Sequence, residues 1–222
     1  VERLRYYIDS GITSIRDTGS HGLAPFILKQ WSAEGRIAAP RVFAAGQVIT
    51  ATGGHATEGF LFRTAPGFDG AMVREANGPE DWQAAVREQF KAGADWIKLA
   101  SHFDEHELRA AVDEAHRLGI RVTVDAETVF NDMAVAAGAD SIEHPLPRSD
   151  ETVRLMAERG VASIPTIVPY QIILKEWGGY YGSTSRRFTL DEPRMLAMVK
   201  KMKDAGVKLG VGTDLILDWY RK

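Results

Sequence analysis

Short apolar runs alternate with amphipathic segments along the whole chain. Runs of four or five residues, bounded by glycine, proline or polar residues, are typical of buried β-strands. Between them apolar residues recur at helical spacing, as in residues 105–118, where one face carries Leu108, Ala111, Val112 and Ala115. The pattern predicts seven strands, at residues 13–17, 41–45, 96–100, 121–125, 141–144, 162–165 and 208–212.

The amphipathic segments end in a repeated way. Five of them finish on a glycine directly before the next strand, in KAGAD, RLGIR, AAGAD, ERGVA and DAGVK, and glycine readily adopts the left-handed conformation that closes a helix. The helix after WIKLA starts with Asp104 and Glu107, which have the spacing of a capping box. A repeated βα unit predicts a parallel sheet. Because no GxGxxG motif follows the first strand, a (β/α)₈ TIM barrel is favoured over a nucleotide-binding open sheet.

A barrel of this kind has eight strands, so the seven visible ones predict an incomplete barrel. We expect residues 1–222 to form a single barrel domain that is a piece of a longer chain. Two long connections, at residues 49–79 and 166–190, follow strand ends on the side where barrel enzymes place their active sites. The second connection is rich in aromatic residues: Tyr170, Trp177, Tyr180 and Tyr181. This composition suits either a lid over a substrate or a loop packed against another part of the protein.

Composition narrows the class of protein. The 222 residues include 27 basic and 30 acidic side chains, and the net charge of -3 gives no support for nucleic acid binding. The absence of cysteine excludes disulfides and cysteine-bound zinc. No apolar run approaches the roughly 20 residues of a membrane helix, and the starting sequence VERLRYYIDS has no signal-peptide pattern. We expect a cytoplasmic protein, with export and homo-oligomerisation left open because no initiator methionine is visible.

Titratable side chains fall where the predicted strands end. Lys98 lies in WIKLA, Asp125 ends RVTVD, His144 ends SIEH, Asp214 ends GVGTD, and His55 lies in the loop TGGHATEG. In a parallel barrel these strand ends meet at one mouth. Imidazole and carboxylate groups suit zinc, manganese or iron. Each residue alone also fits a helix cap, a polar core group or a lysine reaching the barrel rim, and only their joint placement favours a site.

The stretches GITSIRDTGS, APRVFAAGQVIT-ATGGH, WIKLA, VTVDAET, SIEHP and GVGTD together resemble the amidohydrolase superfamily, in particular its imidazolonepropionase-like and prolidase-like branch. The resemblance implies a metal-dependent hydrolase barrel with one or two divalent metals, usually zinc, that cleaves amide, peptide or cyclic C–N bonds. It implies that Lys98 is carboxylated and bridges the metals, and that His144 and Asp214 are metal ligands. Asp214 would also shuttle protons, and His55 would contact the substrate carbonyl.

Two further residues are predicted to contact the substrate, which we expect to be a small amide, dipeptide or lactam. They are Gly54, in the same GGH motif as His55, and Tyr170, in the long connection after the sixth strand.

The sequence departs from the family pattern in two places. The His-x-His pair of the family's first strand is absent, so the chain is expected to begin after it. Asp125 stands where the family has a histidine ligand. A carboxylate binds the same metals, but its negative charge weakens the Lewis acidity of the ion. The predicted site is therefore either retuned for another metal or impaired.

Two alternatives to a hydrolase stay open from the sequence. A lysine in a barrel strand, here Lys98, can form a Schiff base with a carbonyl substrate, as aldolases do. The chain can also be a catalytically impaired barrel fragment, in which incomplete strand pairing would favour association.

Overall fold

The computed structural model describes residues 1–57, 72–126, 129–177 and 192–214. The helices are α1 Glu2–Asp9, α2 Ala24–Ala33, α3 Pro79–Ala92, α4 Glu105–Arg117, α5 Val129–Ala137, α6 Asp150–Arg159, α7 Ile167–Trp177 and α8 Glu192–Asp204. The strands are β1 Ser14–Asp17, β2 Arg41–Ala44, β3 Val48–Thr50, β4 Val73–Glu75, β5 Trp96–Ala100, β6 Arg121–Asp125, β7 Ser141–Glu143 and β8 Ala162–Ile164. Strands that pair are parallel, and helices separate most of them along the chain. The predicted α/β class with a parallel sheet is therefore confirmed.

The chain divides into two compact units, and the first is Val1–Val122. In this unit β1 pairs with β2, and β3 lies between β4 and β5. Every residue of β5 is buried, as expected for an apolar strand of a parallel sheet that is covered on both faces. Helices α3 and α4 pack on each other. Trp82 of α3 is fully buried; its ring meets Phe103 edge to face, and its indole N–H donates to the carbonyl of Ala76.

The second unit is Thr123–Lys222. Here β7 lies between β6 and β8, with Thr123 opposite Ser141 and Ser141 opposite Ala162. Helix α6 packs against α5 and α8, and α8 also contacts α7. Alternate residues of a strand face opposite sides of a sheet, so the register places the side chains of Thr123 and Ser141 on one face. A hydrogen bond of 2.7 Å joins their hydroxyl groups there.

The structure corrects several predicted boundaries. Residues 208–212, predicted as a strand, form only a single bridge between Leu209 and Ser163. The connection at 49–79 contains β4 and most of β3, neither of which was predicted. β3 follows β2 after three residues with no helix between them, and β4 has a single apolar residue, so neither shows the strand and helix alternation used for the prediction. The connection at 166–190 begins with α7. Its residues Tyr180 and Tyr181 lie outside the described residues. Within the described ranges, no helix is both long enough and apolar enough to cross a membrane.

The capping box at the start of α4 is confirmed. The Glu107 N–H donates to the Asp104 carboxylate at 2.8 Å, and the Asp104 N–H donates to the Glu107 carboxylate at 2.9 Å. Each bond satisfies an N–H group that the first helical turn would otherwise leave without an acceptor.

We expect Asp104→Ala to lower the free energy of unfolding by about 1 kcal/mol, the usual cost of losing an N-cap side chain. Asp113→Ala, an exposed substitution in the middle of the same helix, is the matched control and should stay within about 0.5 kcal/mol of the parent. Urea denaturation with an unchanged m-value measures both differences. Equal effects of the two substitutions would show that the box does not stabilise α4.

Candidate functional site

His144 directly follows β7 and is held in an unusual backbone conformation. Its φ is 65°, a left-handed value that is uncommon for residues other than glycine. Its N–H donates to the carbonyl of Ile164 at 2.9 Å, and its own carbonyl accepts a hydrogen bond of 2.9 Å from Arg148. Such a conformation persists where the surrounding structure fixes it, and it is common at functional sites.

The imidazole of His144 is engaged at both nitrogens. Nε2 lies 3.0 Å from Oδ2 of Asp125, and Nδ1 lies 2.6 Å from Oγ1 of Thr166. All three residues are buried, with exposed fractions of 4% for Asp125, 6% for His144 and 5% for Thr166. Each ring nitrogen therefore has a polar partner within hydrogen-bond distance, and these two contacts fix the orientation of the ring. The three side chains come from the carboxyl ends of β6, β7 and β8, which is the edge where parallel α/β sheets bind ligands.

Tyr170 lies on α7 beside this group. Its ring centroid is 5.4 Å from that of His144, with the two rings tilted by 50°. The ring is buried and packs with Leu146 and Met195. Tyr170, predicted to contact the substrate, therefore forms an apolar wall against the imidazole.

Asp214 is the last residue that the structure describes. It is half-buried and has a φ of 44°. Two residues earlier, Gly212 packs so closely on β8 and the turn after it that a Cβ there would collide with Ile164 and lie 2.9 Å from Cγ2 of Thr166. Any larger residue at position 212 would have to displace these two β-branched side chains. The segment that carries Asp214 is thereby held alongside the turn that carries Thr166.

In the first unit, Lys98 occupies the middle of β5 with an exposed fraction of only 4%. Lysine is almost never fully buried unless its charge is paired. Lysines buried in this way are frequent in catalysis.

The GGH loop is fastened to the segment that follows β5. The His55 N–H donates to the carbonyl of Ser101 at 2.5 Å, and the Ala51 N–H donates to the carbonyl of His102 at 3.2 Å. A Cβ on Gly54 would collide with the Thr50 hydroxyl and lie 2.9 Å from backbone atoms of Ala51 and His102. Gly54 is therefore needed for this close packing, whatever its role toward a substrate.

We expect Gly54→Ala to lower the free energy of unfolding by about 3 kcal/mol, the upper part of the range for overpacking, because the obstructing atoms are mainly backbone. Gly53→Ala is the matched control: it has a φ of 77° and no atom within 4 Å of its would-be Cβ, so it should cost only the left-handed strain of about 1–2 kcal/mol. Backbone NMR shifts should move at Ser101 and His102 in the Gly54 variant alone. The same shifts in both variants would contradict the close-packing explanation.

The predicted metal ligands are only partly gathered. In the described ranges no three side chains of His, Asp or Glu come close enough to hold an ion together, and Asp125 with His144 forms a pair. The pair fits a divalent metal chemically, because imidazole and carboxylate are ligands of zinc, manganese and iron. Its spacing of 3.0 Å is that of a hydrogen bond, and these two side chains would be the ones to hold such an ion.

Sequence reasoning missed two residues of this group, Thr166 and Arg148. Thr166 could have been identified from the sequence, because it lies between a predicted strand and a long connection. This is the strand end at which parallel α/β proteins bind ligands. Arg148 carries no such signal, because a charged residue in the stretch PLPRSD reads as exposed loop.

The parallel strands joined by helices, with polar side chains buried at their carboxyl ends, define an α/β fold of the barrel type. The sequence profile of the Amidohydrolase family matches residues 4–217, so the chain belongs to the amidohydrolase family, as the sequence motifs indicated. The structure is similar to the crystal structure of an amidohydrolase, with 32% identity, a TM-score of 0.82 and coverage of 96% of this chain and 57% of that chain.

Two further relatives support this assignment. A prolidase crystallised with N-methylphosphonate-L-proline is 30% identical, with a TM-score of 0.80 and coverage of 95% of this chain and 56% of that chain. Ochratoxinase from Aspergillus niger is 28% identical over an alignment of 239 positions, gaps included, that covers 93% of this chain and 48% of the ochratoxinase. The chain therefore spans about half the length of the relatives it matches.

Proposed function

We propose that the complete protein is a metal-dependent hydrolase that cleaves an amide, peptide or cyclic C–N bond in a small substrate. The observation that carries this proposal is the buried Asp125–His144 pair at the carboxyl ends of adjacent strands in a chain of the amidohydrolase family. The similarity to a prolidase and to ochratoxinase supports dipeptides, small amides and lactams as the substrate class.

Asp125 and His144 would hold the divalent ion, which we expect to be zinc. When bound, such an ion lowers the pKa of a coordinated water toward neutral. The Thr166 hydroxyl, at Nδ1 of His144, would keep the ring oriented with Nε2 toward the ion. The carboxylate of Asp125 adds negative charge, which moderates the Lewis acidity of the ion and widens the choice to manganese or iron.

The remaining predicted residues have separate roles in this scheme. Lys98, buried in β5, would as a carbamate supply two oxygen ligands where an ammonium supplies none. Asp214 would accept a proton from the attacking water and deliver it to the leaving nitrogen. His55, fixed by the bond from its N–H to Ser101, would polarise the scissile carbonyl.

The test begins with the metal content of the purified 222-residue chain after growth with zinc and bicarbonate, measured by elemental mass spectrometry. We expect about one ion or more per chain, its loss in His144→Ala, and its retention in the control His106→Ala, which removes an exposed histidine. Hydrolysis of dipeptides, N-acyl amino acids and lactams by the complete protein should stop on chelation and return with metal. A complete protein that binds no divalent metal would refute the proposal.

A second candidate function is favoured by the burial of Lys98 in an apolar strand, since a desolvated lysine is a good Schiff-base nucleophile. Borohydride reduction in the presence of a carbonyl substrate would then attach the substrate to Lys98, as mass spectrometry can detect. Metal-dependent turnover without trapping would exclude this candidate. A chain that shows neither activity would be the impaired barrel fragment that the sequence left open.

A further inference from the structure

Arg148 is a buried arginine in the second unit, with an exposed fraction of 4%. Its Nη2 donates to the backbone carbonyls of Glu143, at 3.1 Å, and His144, at 2.9 Å. Its Nη1 contacts the Ser163 hydroxyl at 3.3 Å and the Met202 sulfur at 2.8 Å. Among the described residues, the partners within hydrogen-bond distance of the guanidinium are therefore carbonyl, hydroxyl and thioether groups.

Stability alone does not account for a charge in this place. Burial lowers the pKa of Arg148 to about 10, while the nearby charge of Glu143 opposes that shift, so the side chain stays protonated at neutral pH. Its Nε is buried with no acceptor among the described residues. Burying an ion costs several kcal/mol, and well-packed apolar residues of similar volume often stabilise a protein as well or better.

The contacts of Arg148 converge on the backbone of His144. The carbonyl of His144 accepts from Nη2, while its N–H is bound to Ile164 on the neighbouring strand. The backbone of His144 is thus restrained at both its N–H and its carbonyl. Because the backbone angles limit the side-chain rotamers, this also restricts the direction of the imidazole. The same guanidinium contacts Ser163 of β8, and this contact connects the end of β7 to the strand that precedes Thr166.

We infer that Arg148 is a positioning residue that holds the backbone of His144 in its left-handed conformation and so aims the imidazole between Asp125 and Thr166. It touches none of the reacting groups itself. An effect of Arg148 on metal binding rests on the proposed function, whereas its effect on the ring of His144 does not.

The first test is a measurement of the His144 ring that needs no metal. In the 222-residue chain labelled with ¹⁵N-histidine, long-range ¹H–¹⁵N NMR spectra report the ring tautomer, and the His144→Asn variant identifies the signals. We expect one fixed tautomer in the parent. Arg148→Met, which removes the donors at similar volume, should give averaged ring signals, and Arg148→Lys should restore part of the fixed state.

The matched control is Arg159→Met. Arg159 belongs to the same unit and also donates to a backbone carbonyl, that of Val135, at 2.9 Å. It should lose some stability and leave the His144 signals unchanged. A fixed tautomer in Arg148→Met, or averaged signals already in the parent, would overturn the inference.

The second test measures the affinity for Zn²⁺ and Mn²⁺ by competition with a chelator, well below the unfolding temperature of every variant. We expect Arg148→Met to weaken binding about 10- to 100-fold, as loss of a group that orients a ligand typically does, and Arg159→Met to bind as the parent does. No binding in the parent, even as the complete protein, would refute the proposed function and leave the NMR result to decide the role of Arg148. Unchanged affinity in Arg148→Met would overturn the role of Arg148 in metal binding.

Discussion

Replacing Lys98 with alanine should remove bound metal and hydrolytic activity together from the complete protein. Loss of a group that only orients a ligand costs roughly 10- to 100-fold, and loss of a bridging ligand should exceed that range. The structural basis is the position of Lys98, buried in the middle of β5 in the first unit. Metal content by elemental mass spectrometry and kcat/KM for a dipeptide or lactam, measured on the same preparation, check the result.

Two controls separate this effect from general damage to the fold. Lys91→Ala removes an exposed lysine from the last turn of α3 and should change neither quantity. Lys98→Met keeps most of the buried volume, so it should limit the cavity cost while it still loses metal and activity. Full activity in Lys98→Ala would eliminate the proposed role of this residue.

Asp214→Asn should lower kcat by about 10² to 10⁴, the usual contribution of a positioned acid or base. The amide has nearly the shape of the carboxylate but cannot take up a proton at neutral pH. We expect the change to appear in kcat more than in KM, because proton transfer affects the transition state and not substrate binding. Steady-state kinetics on an amide substrate measure both constants.

The matched control for this prediction is Asp204→Asn. Asp204 ends α8, is exposed and pairs with Lys200, four residues earlier on the same helix. Its replacement should leave kcat within twofold of the parent. A normal kcat in Asp214→Asn would show that another group transfers the proton.

The strands that position the site were predictable because their signals are local. β5, β6 and β7 are apolar runs bounded by turn residues, and each ends near a titratable side chain, so both the strands and the residues at their ends were predicted. β3 was missed because no helix separates it from β2, and β4 was missed because it has a single apolar residue. Residues 208–212 have the composition of a strand, yet only Leu209 forms a bridge, since strand formation also requires a paired neighbour.

The contacts within the candidate site were less predictable because they depend on residues distant in sequence. The sequence placed Asp125 and His144 at neighbouring strand ends, but their hydrogen bond depends on the register of β6 against β7. The burial of Arg148 depends on Met202, 54 residues further along the chain. Local composition carries no information about either of these contacts.

The attachment of the GGH loop to the segment after β5 has a consequence for any attempt to redesign specificity. The carbonyls of Ser101 and His102 accept the hydrogen bonds that hold the loop, and Ser101 is only three residues from Lys98. The GGH loop and the segment after β5 therefore form one structural unit. Because these acceptors are main-chain carbonyls, residues 101 and 102 supply them whatever their side chains. A loop transplanted from a relative to accept a new substrate would have to keep a backbone path that brings the N–H groups of residues 51 and 55 to these carbonyls.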